Sequence, residues 1–322
     1  MTVSATKLYG YYPNKAMSLV PGSTTSGWDF FNYTPTKGGA IAVAAVFGVF
    51  LFVLLYQVIY YCHQAKRISS LRLNHIAYKY IPLLVGAVFE IIGYAGRASA
   101  ADDVFSIGPY IIQAFFILVA PALSAATIYM VFHAMLWQLK CERISFIPPR
   151  YATTTFVCGD VLSFILQGAG GGLSSGDNTR DLGNDVILGG LAVQLVFFGF
   201  FIITEVKFLL MVSKRSPMVS RISNHWKVLN WTLLLVSLLI LGRSIVRFVE
   251  FAEGTDGVII SHEWYLYVFD ALFMLVCYLL FIVMFKYGNI FQVFVECGKA
   301  DSEPILYGDT ESYNNQKEMG FA

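Results

Sequence analysis

Long apolar stretches set the rhythm of this chain. Seven of them, near residues 38–60, 77–96, 109–137, 152–172, 186–211, 228–251 and 264–286, alternate with short polar segments. Each reaches the roughly 20 residues that an α-helix needs to cross bilayer hydrocarbon. With no water there to satisfy the backbone, a spanning segment must bond to itself, as a helix does. The pattern predicts an all-α integral membrane protein, a seven-helix bundle over residues 38–286. A polar amino-terminal tail, 1–37, precedes it and a polar carboxyl-terminal tail, 287–322, follows. The last residues, 309–322, have the composition of a disordered segment. Pro121 inside the third block removes one backbone hydrogen bond and predicts a kink.

Composition agrees with this reading. The chain is 57% hydrophobic and 13% charged, about half the charged share of a soluble domain. A net charge of +1 gives no electrostatic case for nucleic acid. Residues 1–37 lack an apolar core, so no cleavable signal peptide is expected. Charge in the loops sets an orientation. The segments after the first, third and fifth blocks carry Lys66, Arg67, Arg72 and Lys79; Lys140, Arg143 and Arg150; Lys214, Arg215, Arg221 and Lys227. The intervening loops supply only Arg97 and Arg180, among acids such as Asp102, Asp103, Asp181 and Asp256. Positive loops stay in the cytosol, which places the amino terminus outside and the carboxyl terminus inside. Asn32 then stands in an outward-facing sequon, Asn32-Tyr33-Thr34, open to glycosylation. Trp28, Trp137, Trp226, Trp231 and Trp264 fall at or near block ends, as an aromatic belt would.

Candidate chemistry lies in the charges within the blocks. Glu90, Tyr94 and Arg97 stand at i, i+4 and i+7, on one helical face. Arg243, Arg247 and Glu250 repeat that spacing, and Asp160 and Asp270 add single acids. Isolated in hydrocarbon each charge is costly; paired inside a bundle the set is tolerable. Gln113, Gln167 and Gln194 could complete a buried polar network. Two readings stay open at this point: a polar cavity that receives a charged headgroup, and an ion-pair clamp that fixes helix register. Glu205 and Lys207, near the inner end of the fifth block, read as snorkelling side chains. The glycine run 168–172 lacks the P-loop spacing and reads as helix packing or a flexible helix exit. No nucleotide motif, Ser/His/Asp set or HExxH is present, and the five cysteines form no CxxC. The expectation is no catalysis, no metal and no cofactor.

Several stretches together resemble a known family. They are Tyr33-Thr34-Pro35, Phe89-Glu90-Ile91-Ile92-Gly93-Tyr94-Ala95-Gly96-Arg97, Pro109 to Gln113, Ala120 to Tyr129, Gly159-Asp160 with Gln167 to Gly171, Arg243 to Glu250, Glu263-Trp264 and Phe269-Asp270. In this order, over roughly residues 33–286, the chain resembles the fungal lipid-translocating exporters, or RTA-like proteins. The first helix matches least: Gln57 stands where several members carry His. The resemblance implies a seven-helix fungal protein of the plasma membrane. It also implies efflux or flipping of sphingoid long-chain bases, resistance to sterol-like toxic amphiphiles, or movement of porphyrin and haem. It assigns no binding residues. The acids Glu90, Asp160, Glu250 and Asp270 suit an ammonium head; Arg97, Arg243 and Arg247 suit an anionic porphyrin. The reading is a transporter of lipid-like amphiphiles, with the bilayer and an amphiphile as partners. The rival is a seven-helix receptor for an amphiphile. Against the G-protein-coupled type, no outer loop has a cysteine, the third helix ends without a clear DRY, and the seventh lacks NPxxY.

Overall fold

A computed structural model describes residues 36–68, 74–102, 107–141, 149–174, 179–215, 219, 222–253 and 263–302. Among these, seven helices are long and apolar enough to cross a membrane. They are α1 (Lys37–Ile68), α2 (Ile81–Ala100), α3 (Ile107–Gln138), α4 (Pro149–Ser174), α5 (Arg180–Arg215), α6 (His225–Glu253) and α7. The last runs as an α-helical turn Glu263–Tyr265, a π-helical stretch Leu266–Leu272 and an α-helix Phe273–Tyr287. Proline marks two of the starts: Pro149 opens α4 and Pro82 lies in the first turn of α2, where a missing N–H breaks no helical bond. Asn32 lies outside the described residues.

Neighbours in sequence pack as neighbours in space, and α7 closes the ring against α1. α3 is the central helix, touching α6 across the bundle. Of its most apolar window 61% is buried, against 17% for α1, which runs along the outside. Small residues let helices approach closely. A Cβ on Gly93 of α2 would stand 2.6 Å from Ile117 Cγ1 of α3, and one on Gly170 of α4 would stand 2.6 Å from the Gly183 carbonyl of α5. Within the glycine run only Gly170 is buried at a helix contact; Gly168, Gly171 and Gly172 face outward.

Three sequence expectations change here. The segment after Tyr287 is not a polar tail throughout. After an extended Gly288, α8 (Ile290–Ser302) buries Ile290, Phe291, Val293, Phe294 and Cys297 under the bundle. Asn289 and Gln292 bond each other's backbone N–H, at 2.9 and 3.4 Å, which caps its first turn. Trp226 is no part of an outward belt; it is buried and meets Phe208 edge-on. Glu205 does not snorkel. It is fully buried, because it lies on the same face of α5 as Phe198, Phe201, Phe208 and Val212.

Candidate functional site

The charged side chains of α6 and α7 meet inside the bundle, toward its Arg97 end. Spaced by four and three residues, Arg243, Arg247 and Glu250 project from one face of α6 toward Asp270 of α7. Arg243 Nε lies 2.8 Å from Asp270 Oδ1. Arg247 donates from Nε to the same oxygen at 3.2 Å, from Nη2 to Asp270 Oδ2, and from Nη1 to Glu250 Oε2 at 2.9 Å. Two guanidinium groups thus share one carboxylate, and a second carboxylate takes the remaining arm. Asp270 sits in the π-helical stretch, a local widening frequently found at functional sites.

Arg243 also reaches α3. Its Nη2 donates to the Ile117 carbonyl at 2.8 Å. That carbonyl stands four residues before Pro121, which has no N–H to give it. The proline therefore opens a backbone acceptor inside α3, and the buried arginine fills it.

α2 supplies the opposite wall. Glu90 is 1% exposed, lies within electrostatic range of Arg243 and Arg247, and leaves Oε1 without a hydrogen-bond partner. Tyr94 stacks on Phe47 of α1 with ring centroids 6.0 Å apart, and its buried hydroxyl has no hydrogen-bond partner. Arg97 donates from Nε to the Tyr267 hydroxyl at 3.4 Å, its guanidinium 5.4 Å from the centre of that ring. Tyr267 in turn meets Thr36 at the start of α1. Gln113 of α3 is buried close by, where Gly96 of α2 packs on its backbone.

The helices bring Glu90, Tyr94, Arg97, Arg243, Arg247, Glu250 and Asp270 to one region, with Gln113 beside it. They do not bring Asp160 and Gln167 there. Both lie on the face of α4 that meets α5. Gln167 Nε2 donates to Ser163 Oγ at 2.5 Å and to Gln194 Oε1 at 3.4 Å. Asp160 faces the Tyr129 hydroxyl of α3. The single network expected from sequence is two, because helical spacing fixes the face of a helix but not the neighbour it meets.

Two contributors went unmarked in the sequence. Tyr267 stands three residues before Asp270, a spacing that would pair them on a regular α-helix, but the π-helical stretch turns them to different partners, Arg97 and Thr36 for Tyr267 and the α6 arginines for Asp270. Tyr278 ties α7 to α2 and α3, donating to the Leu83 carbonyl at 3.1 Å and meeting Ser124 Oγ at 3.4 Å. Gln57 reaches α7 from α1, donating to the Ile282 carbonyl at 3.1 Å. Among the described residues no group of three His, Cys, Asp or Glu could hold a metal ion. What the arrangement offers is a buried set of fixed charges of both signs, suited to holding an ionic headgroup.

Residues 83–293 match the family described as RTA1 like protein. Protein RTM1 of Saccharomyces cerevisiae is 43% identical over 300 residues, covering 85% of this chain and 97% of that protein. Protoporphyrin uptake protein 1 of the same yeast is 40% identical over 296 residues, covering 85% and 98%. Sphingoid long-chain base transporter RSB1, also from Saccharomyces cerevisiae, is 26% identical over 269 residues, covering 72% and 68%. No solved structure matches.

Proposed function

Because this chain belongs to the RTA1-like family, we propose that it moves a cationic, lipid-like amphiphile across the bilayer. A sphingoid base, with an ammonium head and a long alkyl tail, is the type of substrate. One observation carries this reading: Glu90 is a buried carboxyl with an unpartnered oxygen, beside acids already taken by guanidinium groups. An ammonium head that reached Glu90 would gain a charge-assisted hydrogen bond. The name of the relative RSB1 supports the substrate class. The loop charges support an amino terminus outside and a cytosolic carboxyl terminus, and the resemblance supports the plasma membrane.

A second reading is favoured by a different observation. The relative named for protoporphyrin uptake is 40% identical, against 26% for the sphingoid base transporter. A porphyrin carries carboxylates, and Arg97, Arg243 and Arg247 would be its hosts. One experiment separates the two. The purified protein is reconstituted in vesicles, and a labelled sphingoid base or protoporphyrin is followed between leaflets. The cationic reading expects faster movement of the base with the protein present and at least a tenfold loss in Glu90→Gln, about the effect of 1.4 kcal/mol. Movement of the base that the protein does not change, or that Glu90→Gln leaves intact, overturns it. Acceleration of porphyrin alone selects the second reading.

A further inference from the structure

A second buried polar column runs between α3, α4, α5 and α6, apart from the ion pairs. The inward stripe of α5 reads Gln194, Phe198, Phe201, Glu205, Phe208 and Val212. At one level Gln194 meets Ser163 and Gln167 of α4. Asp160 lies seven residues before Gln167, about 10 Å along its helix, and faces Tyr129. Glu205 lies eleven residues beyond Gln194, roughly 16 Å along α5, and faces the Ser237 hydroxyl of α6. Between the two acids the rings of Tyr129, Phe156, Phe198 and Phe201 pack together.

These two acids differ from those at the ion-pair site. Asp160 is 4% exposed and Glu205 0%. Among the described residues, all four of their carboxyl oxygens lack a hydrogen-bond partner. Among the described residues no cation faces them: the Tyr129 hydroxyl approaches Asp160 from α3, the Ser237 hydroxyl approaches Glu205 from α6, and Gln194 of α5 lies on the Asp160 side. Asn230, two turns from Ser237 on α6, is another buried amide with both ends unpartnered. A bare carboxylate in such surroundings is strongly disfavoured, whereas the same group carrying a proton is uncharged. A metal ion would need more oxygen ligands than a single carboxyl and a hydroxyl provide.

We propose that Asp160 and Glu205 are proton-binding sites, and that their loading and unloading drives the movement of the amphiphile. In each, a carboxylate oxygen takes a proton from hydronium, so that one O–H bond forms as another breaks and water is left, and the acid returns the proton to water as hydronium when the column opens to the other side. No electron pair leaves and no other reactant is needed. Proton binding stands by itself; the coupling rests on the transport reading above.

Infrared difference spectroscopy of the purified protein, taken between acidic and alkaline buffer, tests the binding. Wild type is expected to show protonated-carboxyl C=O bands, one lost in Asp160→Asn and another in Glu205→Gln. Ser237→Ala is expected to shift the Glu205 band without removing it, which keeps the test open should Glu205→Gln fail to fold. Glu90 supplies a third buried carboxyl whose band neither substitution touches; failure of Asp160→Asn and Glu205→Gln to remove any band, or a Ser237→Ala spectrum identical to wild type, overturns the assignment. The coupling is read in vesicles carrying a labelled sphingoid base. The ratio of movement with and without an imposed pH gradient is expected to exceed unity in wild type and to fall to unity in the double variant. A ratio unchanged by the substitutions overturns the coupling. Absence of any protein-dependent movement sinks the transport reading instead, while the infrared bands still decide proton binding.

Discussion

Asp270→Asn removes one charge, keeps the shape of the side chain and strands a guanidinium group. The loss falls unevenly. Arg247 is 18% exposed and keeps Glu250 at 2.9 Å. Arg243, only 4% exposed, loses the carboxylate oxygen 2.8 Å from its Nε. Breaking a buried ion pair from one side costs about 3–5 kcal/mol, chiefly for the uncompensated charge left behind. Arg243 keeps the Ile117 carbonyl and the field of Glu90, so the lower end applies. The expected loss is about 3 kcal/mol, roughly a hundredfold in the folded ratio. Adding Arg243→Met removes the stranded charge. Recovery will be incomplete, since the Ile117 carbonyl then lacks its donor, at about 1–3 kcal/mol. The double variant should still be more stable than the sum of the single losses by on the order of 1–2 kcal/mol. Detergent-denaturant titration of the purified protein in mixed micelles measures all four proteins. If Asp270→Asn unfolds within about 0.5 kcal/mol of wild type, as a neutral surface change would, or the two losses simply add, the ion-pair account of this site is wrong.

Three further outcomes are expected. Gly93→Val should destabilise α2 against α3 by about 1–3 kcal/mol, because its Cβ would stand 2.6 Å from Ile117 Cγ1 and 3.2 Å from the Ile117 N; Gly168→Ala, with nothing within 4 Å, is the control that should be neutral or mildly stabilising in the same thermal melt. Asn289→Ala should loosen the first turn of α8 by about 1 kcal/mol, the usual worth of a cap, and limited proteolysis should then cut faster within 290–302. If the amino terminus faces the secretory lumen, a glycosidase should shift the gel mobility of wild type and leave Asn32→Gln unchanged; no shift in wild type would remove that support for the orientation.

The seven crossings were legible because a bilayer demands about 20 apolar residues whatever the fold around them. The helix ends were not. α1 runs on to Ile68 and α5 to Arg215, past the apolar blocks, since polar side chains outside hydrocarbon do not stop a helix. α8 does leave a signal in the sequence: Asn289-Ile290-Phe291-Gln292 is a capping pattern ahead of an amphipathic run. The average polarity of the segment hides Phe291, Val293 and Phe294, which are buried. Glu205 shows the same lesson in reverse. Its place near a block end suggested the interface, whereas its spacing from Phe198, Phe201, Phe208 and Val212 already put it on the inner stripe. For the site, the spacing of Arg243, Arg247 and Glu250 gave their common face. That Asp270 would bridge the two arginines depends on how α6 meets α7, which no single-helix period contains.

The backbone around the ion pairs bears on the choice between a register clamp and a headgroup site. A clamp works best between unbroken helices, where each side chain is held by a regular ladder. Here the two helices that Arg243 bonds, α3 and α7, are irregular near the charges. α3 lacks one ladder bond at Pro121, and the freed Ile117 carbonyl is held instead by Arg243. α7 is π-helical through Asp270, so its ladder is shifted by a residue over that stretch. Arg243 thus links two interruptions, one hand on each. A charged headgroup that drew Asp270 or Glu90 away from it would loosen its hold on α3 at the bond the proline left open. α3 is the central helix, in contact with α2, α4 and α6, and a change in its bend would be felt on both sides of the bundle. Coupling between an occupied headgroup and helix motion needs such an element, a bond that serves the ligand site and the backbone alike. This arrangement argues for the headgroup reading.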